Sequence, residues 1–328
     1  MIGQRVGLGC MSLSHAYGVP PAPEEGAEML RGALEDGIRM LDTATLYGGG
    51  RNEELVGRVL RGLGSARRDE VYLASKGGMA VIDGVRVIDG RPQTLHAQVD
   101  ASLRRLGVDH IDLYYLHRWD RQVPIGESVG ALAEAVAAGK IGAIGLSEVS
   151  VARLREAQEV TPIAAVQNEY SLWTRNAELG MLEAAESSGV ALVAFSPLGR
   201  GFLADAIAAP EDLAETDIRR SMPRFQPAHW PVNAALLPKW RTLAAEAGCT
   251  PAQLALVWLL SRGEHVVPIP GTTSRAHAKD NLTAASLAVD AELLERAGAL
   301  VDTATVSGNR YAPGPAAEVD AETFEAVP

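Results

Sequence analysis

A chain of 328 residues with 47% hydrophobic and 22% charged side chains can bury a large core, which excludes disorder over most of its length. A formal net charge of −11 and a pI near 5.2 argue against nonspecific binding to nucleic acid or to an anionic membrane surface, though not against local cationic pockets for small anions. The two cysteines, Cys10 and Cys249, lie far apart without metal-type spacing and read as free thiols. The start MIGQRVGLGC lacks a basic segment followed by an apolar run, and no stretch approaches a membrane span, so the expected location is the cytoplasm.

Short β-rich runs alternate with segments of helical spacing, the pattern of parallel strands joined by helices. The strand VGLGCM precedes PEEGAEMLRGALEDG, where Ala27, Leu30 and Leu34 share a helical face and Gly37 supplies a stop. RMLDTA is the second strand. Asn52 is the expected N-cap of the next helix, with Glu53 and Glu54 in the first turn where the helix dipole favours them, and VYLASK follows as the third strand. After Pro92, a stripe of Leu95, Val99, Leu103 and Leu106 leads to IDLYYLH, apolar enough for a strand buried on both faces. Val129, Leu132 and Val136 mark a helix before AIGLS, residues 151–160 form another before AAVQN, and residues 179–188 precede ALVAFS. Finally, Thr250, Pro251 and Gln253 open a capped helix that leads to VVPIPG and a last helix.

These alternating units, with no glycine fingerprint after the first strand, predict an α/β fold: a single-domain (β/α)8 barrel over residues 1–328 rather than an open doubly wound sheet. Residues 201–233 carry Pro210, Pro223, Pro227 and Pro231 with Phe225 and Trp230, and form the expected lid loop. The tail, 306–328, is expected to be mobile.

The active site of such a barrel lies at the C-terminal ends of its strands, so polar residues that end apolar runs are the candidates. Asp42, Lys76, His117, Ser147, Gln167 and Ser196 all occupy such ends, and Tyr47 follows Asp42 in a glycine-rich loop. Taken singly, Asp42 or Ser147 could cap a helix, His117 could be a structural histidine and Tyr47 a packing residue. A carboxylate, an amine and an imidazole at consecutive strand ends are harder to attribute to capping. An ammonium within about 4 Å stabilises a phenolate by about 4 kcal/mol at an effective dielectric of 20, about three pK units at most. On this reading Lys76 acidifies Tyr47, Asp42 keeps Lys76 charged, and His117 bonds the substrate oxygen, a set suited to carbonyl reduction.

LDTATLYGGGRNEELVG, SKGG, LYYLHR, GLSE, VQNEYSLWTR, AFSPLGRGFL and VPIPGTTSRAHAKDNL together resemble the aldo-keto reductase family over nearly the whole chain, and in detail its pyridoxal-reductase and auxin-induced-like branch. The resemblance implies NADPH-dependent reduction of an aldehyde or ketone by a tetrad of Asp42, Tyr47, Lys76 and His117, with Tyr47 protonating the oxygen. It implies that Ser147 and Gln167 hold the carboxamide, that Phe195 lies against the nicotinamide, and that Ser196, Leu198 and Gly199 follow the pyrophosphate. Gly271, Thr272, Thr273, Arg275, Asp280 and Asn281 would bind the adenosine end at a helix N-terminus. Two positions depart from the family pattern. Glu148 replaces a common Asn and cannot donate a hydrogen bond when ionised, and His277 replaces an Arg near the 2′-phosphate, so the expected preference for NADPH rests on Thr272, Thr273 and Arg275. Two rival readings are a Schiff-base aldolase or isomerase acting through Lys76 and a cofactor-sensing channel subunit, although the chain shows no added partner-binding terminus.

Overall fold

The computed structural model describes residues 4–324. Its main element is one curled sheet of eight parallel strands. In chain order the strands are β1 (Leu8–Gly9), β2 (Met40–Asp42), β3 (Tyr72–Gly77), the hairpin pair β4 (Met79–Ile82) and β5 (Val85–Ile88), β6 (Ile111–Leu116), β7 (Ile141–Ser147), β8 (Ala165–Glu169), β9 (Ala191–Phe195) and β10 (Val266–Pro268). The hairpin is antiparallel, stands outside the sheet and carries no signal that the sequence reading recognised. The two edges of the sheet also meet. Gly7 N donates to Pro268 O at 3.0 Å and Gly9 N to Pro270 O at 3.2 Å, with a parallel bridge between Gly9 and Gly271. A Cβ on Gly9 would come within 2.9 Å of the Ile269 carbonyl oxygen, so this approach needs glycine.

The period of two along each strand divides the core. Met40, Leu113, Tyr115, Ala165 and Val193 pack together inside the curl, whereas Tyr114, Leu116, Leu192 and Val166 face the surrounding helices. This explains why IDLYYL shows no polar alternation after Asp112, which accepts from Leu73 N at 2.8 Å: both faces of the strand are buried. Among the described residues no single helix is long and apolar enough to cross a membrane.

One local expectation is corrected. The helix Arg51–Arg61 is preceded by Gly50 in a left-handed conformation, and Asn52 is not its cap. The Asn52 amide is buried instead, accepting from Thr43 Oγ1 at 2.6 Å and donating to Cys10 O at 2.9 Å. A buried amide must be satisfied, and here it joins the ends of β1 and β2. Glu53 is likewise buried and accepts from Ser75 Oγ (2.6 Å) and Arg105 Nε (2.7 Å).

The stretch 201–233 consists of short turns and the helix Trp230–Ala234, with Ile218 N donating to Ala16 O at 3.0 Å in the loop beyond β1. Its Phe225 packs edge-on against Trp173 and stacks on Trp230. In the tail, Asp320 accepts from Ser150 N at 3.0 Å and Ser150 Oγ at 2.7 Å, and Glu322 accepts from Val151 N at 2.8 Å. Residues 325–328 of the expected tail lie outside the described residues.

Candidate active site

Beyond the end of β2 the chain stays in register with β3, since Thr43 N donates to Ala74 O and Thr45 N to Lys76 O at 2.9 and 3.0 Å. The turn Tyr47–Gly50 follows. Gly48, Gly49 and Gly50 all have positive φ, a conformation that would strain other residues, and this turn returns the Tyr47 ring over β3. There Lys76 Nζ donates to Tyr47 OH at 3.3 Å, to Thr43 O at 3.0 Å and to Asp42 Oδ1, while Gln167 Nε2 donates to Asp42 Oδ2 at 2.8 Å. His117 follows β6, its ring edge-on to Tyr47 with centroids 5.8 Å apart. The structure therefore brings Asp42, Tyr47, Lys76 and His117 into one cluster.

Burial governs the charges. It pushes the Tyr47 phenol up, and the Lys76 ammonium offsets this only in part, so the phenol keeps its proton. This corrects the expectation of an acidified tyrosine, because desolvation outweighs the neighbouring cation. For Lys76, burial favours the neutral amine, but Asp42 and then Tyr47 more than reverse it, and the ammonium persists. Burial, with the charges of Arg118, Lys76 and Arg86, holds the His117 imidazole well below its usual value and therefore neutral. Cys10, at the end of β1, is pushed by burial up to about 12 and is inert as a nucleophile. A Schiff base on Lys76 needs a neutral, accessible amine, and this one is 1% exposed and charged.

A cleft of about 780 Å³ opens above the cluster. Asp42, Tyr47, His117, Ser147, Gln167, Phe195, Ser196 and Leu198 line one part, and Gly271, Thr272, Thr273, Asp280 and Asn281 another. Lys76 lies behind the wall and Gly199 lies outside it. Arg275 is also not brought to the cleft: Nε and Nη2 donate to Asp36 at 2.7 and 3.0 Å, with Glu35 at 3.2 Å. His277 does line the cleft, on the helix Arg275–Thr283, whose N-cap Ser274 accepts from His277 N. Glu148 does not line the cleft. Its φ is 55°, and it accepts from Arg310 Nη1 (3.2 Å), Arg310 Nη2 (2.7 Å) and Glu169 N (2.9 Å). Sequence reasoning missed this network, in which Arg200 also joins Glu169 (2.7 Å) and Tyr311 OH (2.8 Å), because its partners are distant in the chain.

The walls fit a dinucleotide. Phe195 offers a partly exposed ring, and the capped helix start beside Thr272 and Thr273 offers amides and a positive dipole end to phosphate. Three buried polar atoms of the wall, His117 Nδ1, Ser12 Oγ and Arg118 Nε, have no partner among the described residues, as in a wall that a polar ligand completes.

Fold and site together define a parallel α/β enzyme with a buried acid cluster at the strand C-termini. Residues 5–302 match the aldo/keto reductase family, and the chain belongs to it. It is 38% identical over 323 residues to aldo-keto reductase yakc, NADP(+), of Schizosaccharomyces pombe, covering 97% of this chain and 94% of that protein. Among solved structures it is similar to a glycerol dehydrogenase from Gluconobacter oxydans, with a TM-score of 0.83, 27% identity and coverage of 98% and 95% of the two chains. An aldo-keto reductase from Bacillus halodurans in its holo form gives a TM-score of 0.73 at 26% identity, with coverage of 92% and 93%. The family and these neighbours imply a (β/α)8 barrel, which accommodates the curled eight-stranded sheet.

Proposed function

We propose that the protein is an NADPH-dependent oxidoreductase that reduces an aldehyde or ketone to an alcohol, with Tyr47 as proton donor. The observation that carries this reading is the Lys76 ammonium 3.3 Å from the Tyr47 hydroxyl, on the wall of a cleft suited to a dinucleotide. The S. pombe relative is named for NADP(+), which supports the same cofactor here. When bound, NADPH supplies a hydride to the carbonyl carbon.

The protein's own groups handle the proton. Tyr47 is neutral at rest and can donate to the carbonyl oxygen, and the phenolate then left behind sits beside a cation already in place. At 3.3 Å and an effective dielectric of 20, that attraction is about 5 kcal/mol. Asp42 keeps Lys76 charged and Gln167 fixes the second Asp42 oxygen, so the pair does not reorganise during the step. Neutral His117 donates a hydrogen bond to the same oxygen.

Ser147 and Gln167 hold the carboxamide, Phe195 the nicotinamide face, and Ser196, Leu198 and Gly199 follow the pyrophosphate. Thr272, Thr273 and the amides of the helix start take the 2′-phosphate. Arg275 joins them by leaving Asp36, since an exposed surface pair is weakened by solvent and a phosphate attracts the guanidinium more strongly. The stretch 201–233 acts as the lid. The test is a panel of aliphatic and aromatic aldehydes, ketones and a pyridoxal-like aldehyde, the last following the branch resemblance, with NADPH oxidation read by absorbance. Oxidation stimulated by at least one carbonyl is expected, and none across the panel would refute the reading.

A further inference from the structure

Four arginines reach the cleft wall, and three are matched by carboxylates: Arg86 by Glu318, Arg200 by Glu169 and Arg219 by Asp217. Arg118 makes no ion pair among the described residues. Its Nη1 donates to two neutral oxygens, His117 O at 2.6 Å and Ser147 Oγ at 3.2 Å, while its Nε is buried without a partner. The neighbouring carboxylate of Glu148 attracts Arg118 but makes no ion pair or hydrogen bond with it, because both Glu148 oxygens are occupied by Arg310 and the Glu169 amide. A guanidinium has five N–H groups and a charge that is costly to leave partly desolvated and unmatched. Anchored through Nη1, this one is held in place beside His117, which lowers the ordering entropy lost when an anion binds.

Resting on the reductase reading above, we propose that Arg118 is a substrate-anchoring residue and that the enzyme selects carbonyl compounds bearing a carboxylate a few bonds from the carbonyl. The cofactor phosphates do not fill this role, since the groups suited to them lie along Leu198 and Thr272, away from the His117 end. A planar guanidinium matches the two oxygens of a carboxylate, and its single charge suits a monoanion. Another cation of the cleft wall, Arg86, is already engaged by Glu318 at 2.7 Å. Its hydrogen bond to His117 O at 2.6 Å places the Arg118 guanidinium at the His117 end of the cleft.

The test compares 4-oxobutanoate with its methyl ester at saturating NADPH, a pair in which the distant ester leaves the aldehyde's intrinsic reactivity unchanged. The wild-type kcat/KM for the acid should exceed that for the ester by about tenfold or more, an energy of ~1.4 kcal/mol. In Arg118→Leu this ratio should fall to about twofold or less through KM for the acid, and Arg118→Lys should restore part of it. If Arg118→Leu does not fold, as judged by circular dichroism, Arg118→Lys carries the test with a ratio at least threefold below wild type. An ester reduced as well as the acid by the wild-type protein, or a preference for the acid that survives Arg118→Leu, overturns the proposal. A neutral aromatic aldehyde run alongside separates the two readings: its reduction without acid preference sinks only the anion subsite. No turnover of any of the three compounds sinks the reductase reading itself.

Discussion

Replacing Arg310 with Leu removes the guanidinium that donates to both oxygens of Glu148, at 3.2 and 2.7 Å. The two side chains are 6% and 0% exposed, and deleting one partner of a buried pair costs about 3–5 kcal/mol because the survivor is left charged in a poor solvent. With an unfolding entropy of about 2.1 cal/mol/K per residue, the 328-residue chain has about 0.7 kcal/mol/K, so the melting temperature should fall by about 4–7 °C. Glu148→Gln removes the charge at nearly constant shape. The double variant should therefore melt well above the sum of the single losses, with a coupling of about 2 kcal/mol or more. Burial pushes the Glu148 carboxyl up, but Arg310, Arg118 and the hydrogen bonds outweigh it and hold the group below its usual 4.5. A depressed folded value means that the stabilisation is full above pH 4.5 and is lost as pH falls through the folded value, so wild type and Arg310→Leu should converge in acid. Thermal denaturation followed by circular dichroism at pH 7 and at decreasing pH measures this. Additive losses, or an Arg310→Leu protein that melts with wild type at pH 7, would show that the pair does not stabilise the fold as a coupled unit.

Arg275→Ala should weaken NADPH binding about tenfold and leave NADH binding unchanged in a fluorescence titration; no loss would leave the 2′-phosphate to Thr272, Thr273 and the helix amides. Saturating NADPH should slow limited proteolysis within 201–233, and cleavage at an unchanged rate would rule out a lid there. Because burial keeps His117 neutral well below pH 6.5, kcat should be flat from pH 6 to 8, and a titration centred near 6.5 would contradict that assignment.

The fold was legible because its signals are local. The predominantly apolar run of IDLYYL and the Thr250 to Gln253 capping box are properties of adjacent residues, and both appear where the sequence places them. The cluster of Asp42, Lys76 and His117 was legible for a related reason, since parallel strands deliver their C-terminal residues to one end. Three features were not legible. Asn52 lies past the helix cap and satisfies the Cys10 carbonyl just beyond β1, Arg275 turns to Asp36 at the end of another helix, and Glu148 pairs with an arginine far along the chain. Each depends on a partner that only the folded chain supplies. The direction of the Tyr47 shift was misjudged because the cation was counted while the desolvation of the phenol was not.

A single-turnover measurement of carbonyl reduction by Tyr47→Phe, mixed with saturating NADPH and followed by stopped-flow absorbance, tests the central claim most directly. The substitution keeps the ring edge-on to His117 and removes only the hydroxyl that Lys76 contacts at 3.3 Å. The rate should fall by about two to four orders of magnitude while NADPH affinity changes by less than about twofold. A near-normal rate would contradict the account, removing Tyr47 as the acid and moving the proton to His117.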